Sequence, residues 1–123
     1  MKKLPFWFMA LAILYVIIGM AYGIHMSAIG DHVTAPAHGH LNLLGFVMGA
    51  IFAFYYHLVP ASEGRLAWVH FAIHQVAVVL MFPGVILAIE GQGEELAKIS
   101  SLLALIAALV FAVVHFRRGR ATA

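Results

Sequence analysis

The sequence contains no cysteine. This absence excludes disulfide bonds, thiolate metal ligands and covalent attachment of heme through a Cys-x-x-Cys-His motif. Any metal ion or cofactor that the chain binds is therefore held by other side chains and by packing.

Charged residues are scarce as well, at 10% of the chain, whereas 64% of the residues are hydrophobic. This composition excludes an ordinary soluble domain. Four runs lack Asp, Glu, Lys and Arg, at residues 4–30, 32–62, 66–89 and 99–116. Each has about the 18–20 residues needed to cross the hydrocarbon core of a membrane. We therefore predict an all-α membrane four-helix bundle, a single domain over 1–123 with helices at 5–28, 37–58, 66–89 and 95–116. So small a bundle is expected to form a cyclic homo-oligomer.

The remaining charges are distributed unevenly between the two ends of the predicted helices. One side of the membrane receives basic residues, namely Lys2, Lys3, Arg65, Arg117, Arg118 and Arg120. The other side receives Asp31, Glu90, Glu94, Glu95 and Lys98. By the positive-inside rule we predict a multi-pass protein of the cell (inner) membrane with both termini in the cytoplasm.

The first uncharged run, at residues 4–30, is too long for the apolar core of a typical signal peptide. The net charge of +2 then reflects topology and contact with membrane lipid, and nucleic-acid binding is not expected.

Eight histidines are the main polar feature of this apolar chain. Ionisable side chains inside a membrane are expensive, so each one there is a candidate functional residue. The predicted topology divides them into an outer layer of His25, His32, His38 and His40 and an inner, cytoplasmic layer of His57, His70, His74 and His115. Because a helix rises about 1.5 Å per residue, His40 and His74 should differ in depth by roughly 15–20 Å. We therefore expect the two layers to be separate sites.

The outer pair, His38 and His40, gives the sharpest chemical signal. The two residues are separated by about 200° around an α-helix, so their imidazoles point to opposite faces. Each is expected to serve a different cofactor or a different subunit interface. Imidazole is a common ligand of heme iron. His25, on the first helix, is the alternative iron ligand from within one subunit.

Asn42, Gly45 and Gly49 follow on the face of His38. The small residues among them favour either space for a flat macrocycle, which makes the group cofactor-binding, or close approach of another helix. A Gly-x-x-x-Gly spacing is more often a helix-packing motif. The sequence leaves both interpretations open.

The inner pair, His70 and His74, is a weaker candidate for metal binding. The two residues share one face of the third helix, and a pair at this spacing can bind one metal ion. The competing interpretation is interhelical hydrogen bonding with Gln75, His57 or His115. Both interpretations stay open at this point.

The second predicted helix resembles the histidine-pair helix of the catalytic subunits of heme-copper oxidases and nitric-oxide reductases. The resemblance covers His38 to Pro60. A His-x-His pair opens the helix near the outer surface, and His57-Leu-Val-Pro60 closes it as in the cytochrome c oxidase version. In that family the two histidines ligate a low-spin and a high-spin heme on opposite sides of the helix. The resemblance therefore implies that His38 and His40 ligate heme iron.

The resemblance also implies an assembly. The family's catalytic subunit has twelve helices in three arcs of four, and this chain has the length of one arc. A homotrimer would imitate that subunit, with His40 of one protomer and His38 of its neighbour facing the same interface. The adjacent His-His pair of the family's copper site has no counterpart in this sequence. A complete oxidase or reductase is therefore not expected.

We interpret the chain as a heme b-binding integral membrane protein. Its expected role is electron transfer or heme binding near the outer membrane face through bis-histidine ligation, with a redox protein as a compatible partner. The alternative is a copper-handling membrane protein, in transport or oxidase assembly. That protein would use an outer cluster of soft and borderline ligands, namely His25, Met26, His32, His38 and His40.

Overall fold

The chain forms four long helices in a computed structural model that describes residues 3–118. They are α1 (Lys3–Ile29), α2 (Ala35–Leu58), α3 (Arg65–Ile89) and α4 (Glu95–Arg118). Each is long and apolar enough to cross a membrane, which confirms the predicted all-α, multi-pass architecture. Lys2 and Arg120, which contribute to the orientation argument, lie outside the described residues.

Local sequence explains where the helices begin and end. α1 is followed by Gly30, whose φ of +67° is a left-handed conformation that glycine adopts without strain. Pro36 lies in the first turn of α2, where its missing N–H costs no helical hydrogen bond. A short 3₁₀ turn at Pro60–Ser62 leads into α3. Gly91 and Gly93, both with positive φ, form the turn before α4.

A π-helical segment interrupts α2 at Leu41–Val47. At its end the backbone N–H of Met48 donates to the carbonyl of Leu43, which lies five residues back instead of four. The apolar pattern predicts a regular helix here, so the widened turns are a finding of the structure. π-helical turns are rare and occur frequently at functional sites. This segment begins directly after His40.

The helices pack mainly as two pairs, α1 with α2 and α3 with α4, and α2 also contacts α3. Glycines bring the first pair together. A Cβ on Gly45 would lie 2.9 Å from the Cβ of Tyr15, and a Cβ on Gly49 would lie 3.1 Å from the Cβ of Ala12. Small residues at such contacts let helix backbones approach closely inside a membrane.

The buried side chains form two apolar clusters. The larger one, called here the aromatic cluster, consists of Leu4, Phe8, Phe52, Ala53, Tyr56, Ala67 and Val114. The smaller one consists of Tyr15, Leu41 and Val78. No more than 33% of any membrane-length window is buried inside the protomer. The outward faces therefore offer apolar surface to lipid or to another protomer.

Candidate functional site

His38 is half-buried between α1 and α2, and a backbone carbonyl of α1 fixes its ring. Its Nδ1 lies 2.6 Å from the carbonyl oxygen of Gly19. Because a carbonyl can only accept, Nδ1 carries a proton, and in the neutral imidazole the lone pair is then on Nε2. Gly23 makes room for the ring, since a Cβ there would lie 2.9 Å from Cε1 of His38.

His40 is exposed, and a backbone carbonyl fixes its ring in the same way. Its Nδ1 lies 2.6 Å from the carbonyl oxygen of Pro36, one turn earlier in α2. Nδ1 is again the protonated nitrogen, so Nε2 has the lone pair. A hydrogen bond from Nδ1–H to a backbone carbonyl is a usual way to orient a metal-ligating histidine. Both outer histidines therefore present the nitrogen that an iron ion needs.

The two outer histidines open onto different grooves. The groove beside His38 has a volume of about 570 Å³ and is lined by α1 and α2, with His32 and Asn42 at its wall. The groove beside His40 has a volume of about 480 Å³ and is lined by α2 alone, between Pro36 and Met48. The opposite directions follow from the spacing of the two residues. One protomer does not bring His38 and His40 to one ion.

Asn42, Gly45 and Gly49 serve contacts between α1 and α2. Asn42 is half-buried against Gly19, and its Oδ1 has no hydrogen-bond partner within residues 3–118. Gly45 lies against Tyr15, and Gly49 lies against helix α1 as well. The contacts of both glycines are those of helix packing. These contacts agree with the helix-packing interpretation of the two glycines, and the predicted cofactor contacts of Asn42, Gly45 and Gly49 stay a prediction.

Of the other outer residues, Met26 and His32 line the same groove as His38, whereas His25 does not. His25 is exposed, with its ring centroid 6.2 Å from that of Tyr22. Met26 is buried, and its sulfur accepts a hydrogen bond of 3.6 Å from the hydroxyl of Thr34. Across residues 3–118, no three His, Asp or Glu side chains are grouped so that they could hold one metal ion. The copper interpretation, whose cluster includes Met26, stays a prediction.

The inner pair, His70 and His74, is fully buried on α3. The Nδ1 of His70 lies 2.8 Å from the hydroxyl of Tyr56, and the backbone of Leu44, in the π-helical segment, is a hydrogen-bond partner of His74. The rings of both histidines contact the rings of Phe8 and Phe52. The aromatic cluster thus encloses the pair.

The hydrogen bonds that the sequence suggests for the inner pair are not the ones formed. Gln75 accepts a bond of 2.6 Å from the hydroxyl of Tyr15, and His115 pairs with Tyr55 at 2.8 Å. His57 is exposed at the end of α2. The partner of His70 is Tyr56, the residue just before His57. Only the tertiary packing of α2 against α3 reveals this bond, since the two residues are fourteen apart in the chain.

Comparison of the chain with protein-family models, with curated proteins and with solved structures gives no match in any of the three. The resemblance to heme-copper oxidases therefore stays a prediction from the residues between His38 and Pro60.

Proposed function

We propose that this protein binds heme b through His38 and His40 and transfers electrons near the outer face of the membrane. The observation that supports the proposal most directly is that the imidazoles of His38 and His40 are held by the same kind of hydrogen bond. Each has Nδ1 bound to a backbone carbonyl, at 2.6 Å in both cases, and each residue lines an open groove. Two neutral imidazoles prepared in this way are suitable axial ligands for heme iron.

The second step of the proposal is that neighbouring protomers share each iron. His38 and His40 leave α2 in opposite directions, so one iron needs ligands from two chains. The His40 groove is lined by α2 alone and is open to a neighbour, whereas the His38 groove has α1 as its second wall. We propose that the His40 groove of one protomer meets the His38 groove of the next. Closed cyclic symmetry then makes every interface the same, and the resemblance to a three-arc subunit favours a trimer with three hemes.

Bis-histidine ligation determines the chemistry that the heme would supply. With His38 and His40 as its two ligands, the heme would supply single-electron transfer and would not bind a gaseous substrate. The protein's part is to hold the imidazoles in one tautomer and to surround the cofactor with apolar side chains such as Leu43 and Val47, which line the His40 groove. The proposed protein is a redox component with a separate electron donor and acceptor, and not a complete oxidase.

The test is a visible spectrum of the purified protein combined with native mass spectrometry in mild detergent. We expect a Soret band, sharp α bands on reduction, and a trimer with three hemes. A heme-loaded monomer would contradict ligand sharing and favour His25 as the second ligand, whereas a heme-loaded dimer would contradict only the trimer. A colourless protein that contains copper at the outer histidines would favour the copper-handling alternative.

We also propose that both termini face the cytoplasm. Among the described residues, Lys3, Arg65 and Arg117 lie at one end of the helices, and the loop with Asp31 and the turn with Glu90 lie at the other. This asymmetry follows the positive-inside rule. Reporter fusions at the C-terminus and in the 90–94 turn should report the cytoplasm and the outside, respectively. The reverse result would place the His38–His40 layer at the cytoplasmic face.

A further inference from the structure

The inner histidines have a hydrogen-bond deficit that the outer heme site does not explain. His70 and His74 are 0% and 1% exposed, and the Nε2 atoms of both have no hydrogen-bond partner within residues 3–118. Both rings lie inside a segment that spans the membrane. A buried polar atom without a partner is expensive, especially where hydrocarbon surrounds the protein. Two such atoms on neighbouring turns of one helix point to a ligand that both can bind.

The other ring nitrogens indicate what kind of ligand this is. Nδ1 of His70 faces the hydroxyl of Tyr56, and Leu44 offers a backbone carbonyl to His74. When both Nδ1–H groups donate to these oxygens, both Nε2 atoms have free lone pairs. Two lone pairs cannot satisfy one another, so they need a shared electron-pair acceptor. A metal ion is such an acceptor.

The separation of the rings agrees with one ion between them. The ring centroids of His70 and His74 lie 6.1 Å apart, with an interplanar angle of 51°. With metal–nitrogen bonds of about 2.0 Å, two imidazoles on one ion have centroids roughly 5–6.5 Å apart, depending on the angle at the metal. The i,i+4 spacing places both rings on one face of α3. The pair therefore has the separation of a two-nitrogen site.

We propose that Nε2 of His70 and Nε2 of His74 bind one monovalent copper ion. The site offers two neutral nitrogen ligands, and the surrounding aromatic cluster gives no carboxylate to balance a second positive charge. A closed-shell monovalent ion accepts two imidazoles without further ligands. The ring centroids of Phe8 and Phe52 lie 4.4–6.0 Å from those of the two histidines, and aromatic rings this close can attract a bound cation. Zinc and other divalent ions need more ligands and more negative charge than the described pocket offers.

The site is independent of the proposed heme site. His74 contacts the π-helical segment through Leu44, but neither inner histidine contacts His38 or His40. Failure of heme binding therefore leaves this proposal standing, and failure of copper binding leaves the heme proposal standing.

The experiment is an anaerobic titration of the full-length protein in mild detergent with Cu(I), in competition with the chelator bicinchoninate. The test variant is His70→Phe/His74→Phe, which preserves aromatic volume, and the matched control is His57→Ala/His115→Ala, which removes two histidines outside the cluster. Wild-type protein should retain one more copper ion per chain than the test variant, and the control should retain it too. The variant His38→Ala/His40→Ala should also retain this ion. Equal copper content in wild-type protein and the test variant would overturn the proposal.

X-ray absorption spectroscopy of the copper-loaded wild-type protein decides the question even if the test variant fails to fold. The expected result is two imidazole nitrogens around Cu(I) and no sulfur. A shell of three or more ligands, or any sulfur in it, would place the ion elsewhere and overturn the assignment to His70 and His74.

Discussion

The outer pair, His38 and His40, and the inner pair, His70 and His74, contain the same side chain in opposite surroundings. The outer imidazoles are bound to backbone carbonyls and open onto grooves of about 570 and 480 Å³. The inner imidazoles are sealed inside the aromatic cluster, where each is less than 2% exposed. The outer pair is therefore accessible from the grooves, whereas the inner pair is closed off by the side chains packed around it. Burial, more than residue type, thus separates the two sites.

Helical spacing is the first cause of this difference. Two residues apart, the outer histidines face opposite sides of α2, so they cannot both be buried against one neighbour. Four residues apart, the inner histidines share a face, and α3 buries both at once. The hydrogen-bond partners of the two pairs differ as well. Backbone carbonyls hold the outer rings, and the hydroxyl of Tyr56 binds one inner ring.

The largest expected effect is loss of heme on substitution of the outer pair. We expect His38→Ala and His40→Ala each to remove heme or to shift its reduced spectrum, because each supplies one axial ligand. His115→Ala, at the far end of the chain, should preserve the wild-type spectrum. The measurement is heme per chain by pyridine hemochrome assay. Wild-type heme content in both single variants would show that the axial ligands are elsewhere.

The next largest effect concerns the stability of the inner region. Phe8 is fully buried and stacks on Tyr56, with ring centroids 5.7 Å apart. Removal of a buried phenylalanine ring by Phe8→Ala should cost about 3–5 kcal/mol of unfolding free energy, through lost contacts and a residual cavity. Denaturant unfolding in detergent measures the loss, and Phe6→Ala, whose side chain is exposed, is the control.

The same variant tests the separation of the two regions. The heme spectrum of folded Phe8→Ala protein should be unchanged, because Phe8 contacts the inner histidines and not the outer ones. A shifted spectrum in folded protein would mean that the two sites are coupled, and the comparison between them would then need revision.

Much of this fold can be predicted from the sequence. Uncharged runs of membrane length locate each helix, and the predicted ends lie within two residues of the observed ones. The opposite directions of His38 and His40 follow from helical geometry alone. Gly45 and Gly49 match a packing motif, although the sequence does not say which helix they contact.

The remaining features depend on contacts between distant parts of the chain. The π-helical segment has no local signal, because its apolar residues suit a regular α-helix equally well. The bond between Tyr56 and His70, and the carbonyl of Gly19 beside His38, become visible only when the helices are packed. Gly19 and Gly23, four residues apart on α1, are the one hint in the sequence that another helix or ring lies close there.

A third prediction tests the space that α1 leaves for the outer pair. In Gly23→Ala the added Cβ would lie 2.9 Å from Cε1 of His38 and 3.4 Å from Nε2, so the ring must move. Such overpacking typically costs about 1–3 kcal/mol, and if all of it falls on the heme-bound state we expect heme affinity to fall about 5- to 150-fold. Gly39→Ala is the control, since a Cβ there meets no atom within 4 Å.

Competitive transfer of heme to apomyoglobin measures the affinity in both glycine variants. Equal affinities in Gly23→Ala and Gly39→Ala would show that the position of the His38 ring does not limit heme binding. Ligation by His38 would then lose its main structural support.

The smallest expected effect belongs to the contact between α1 and the start of α2. The hydroxyl of Tyr22 lies 2.6 Å from that of Thr34, and the Thr34 hydroxyl also lies 3.6 Å from the sulfur of Met26. When Thr34 donates to the sulfur, Tyr22 donates to Thr34. Tyr22→Phe removes only that donor, so we expect a loss of about 0.5–1.5 kcal/mol in unfolding free energy and no loss of heme. Tyr55→Phe, which removes a more exposed bond to His115, should cost less.

If Tyr22→Phe instead destabilised the protein as much as Phe8→Ala, the end of α1 would be as important to stability as the aromatic cluster. The outer region could not then be described as an open ligand site held by a few polar contacts.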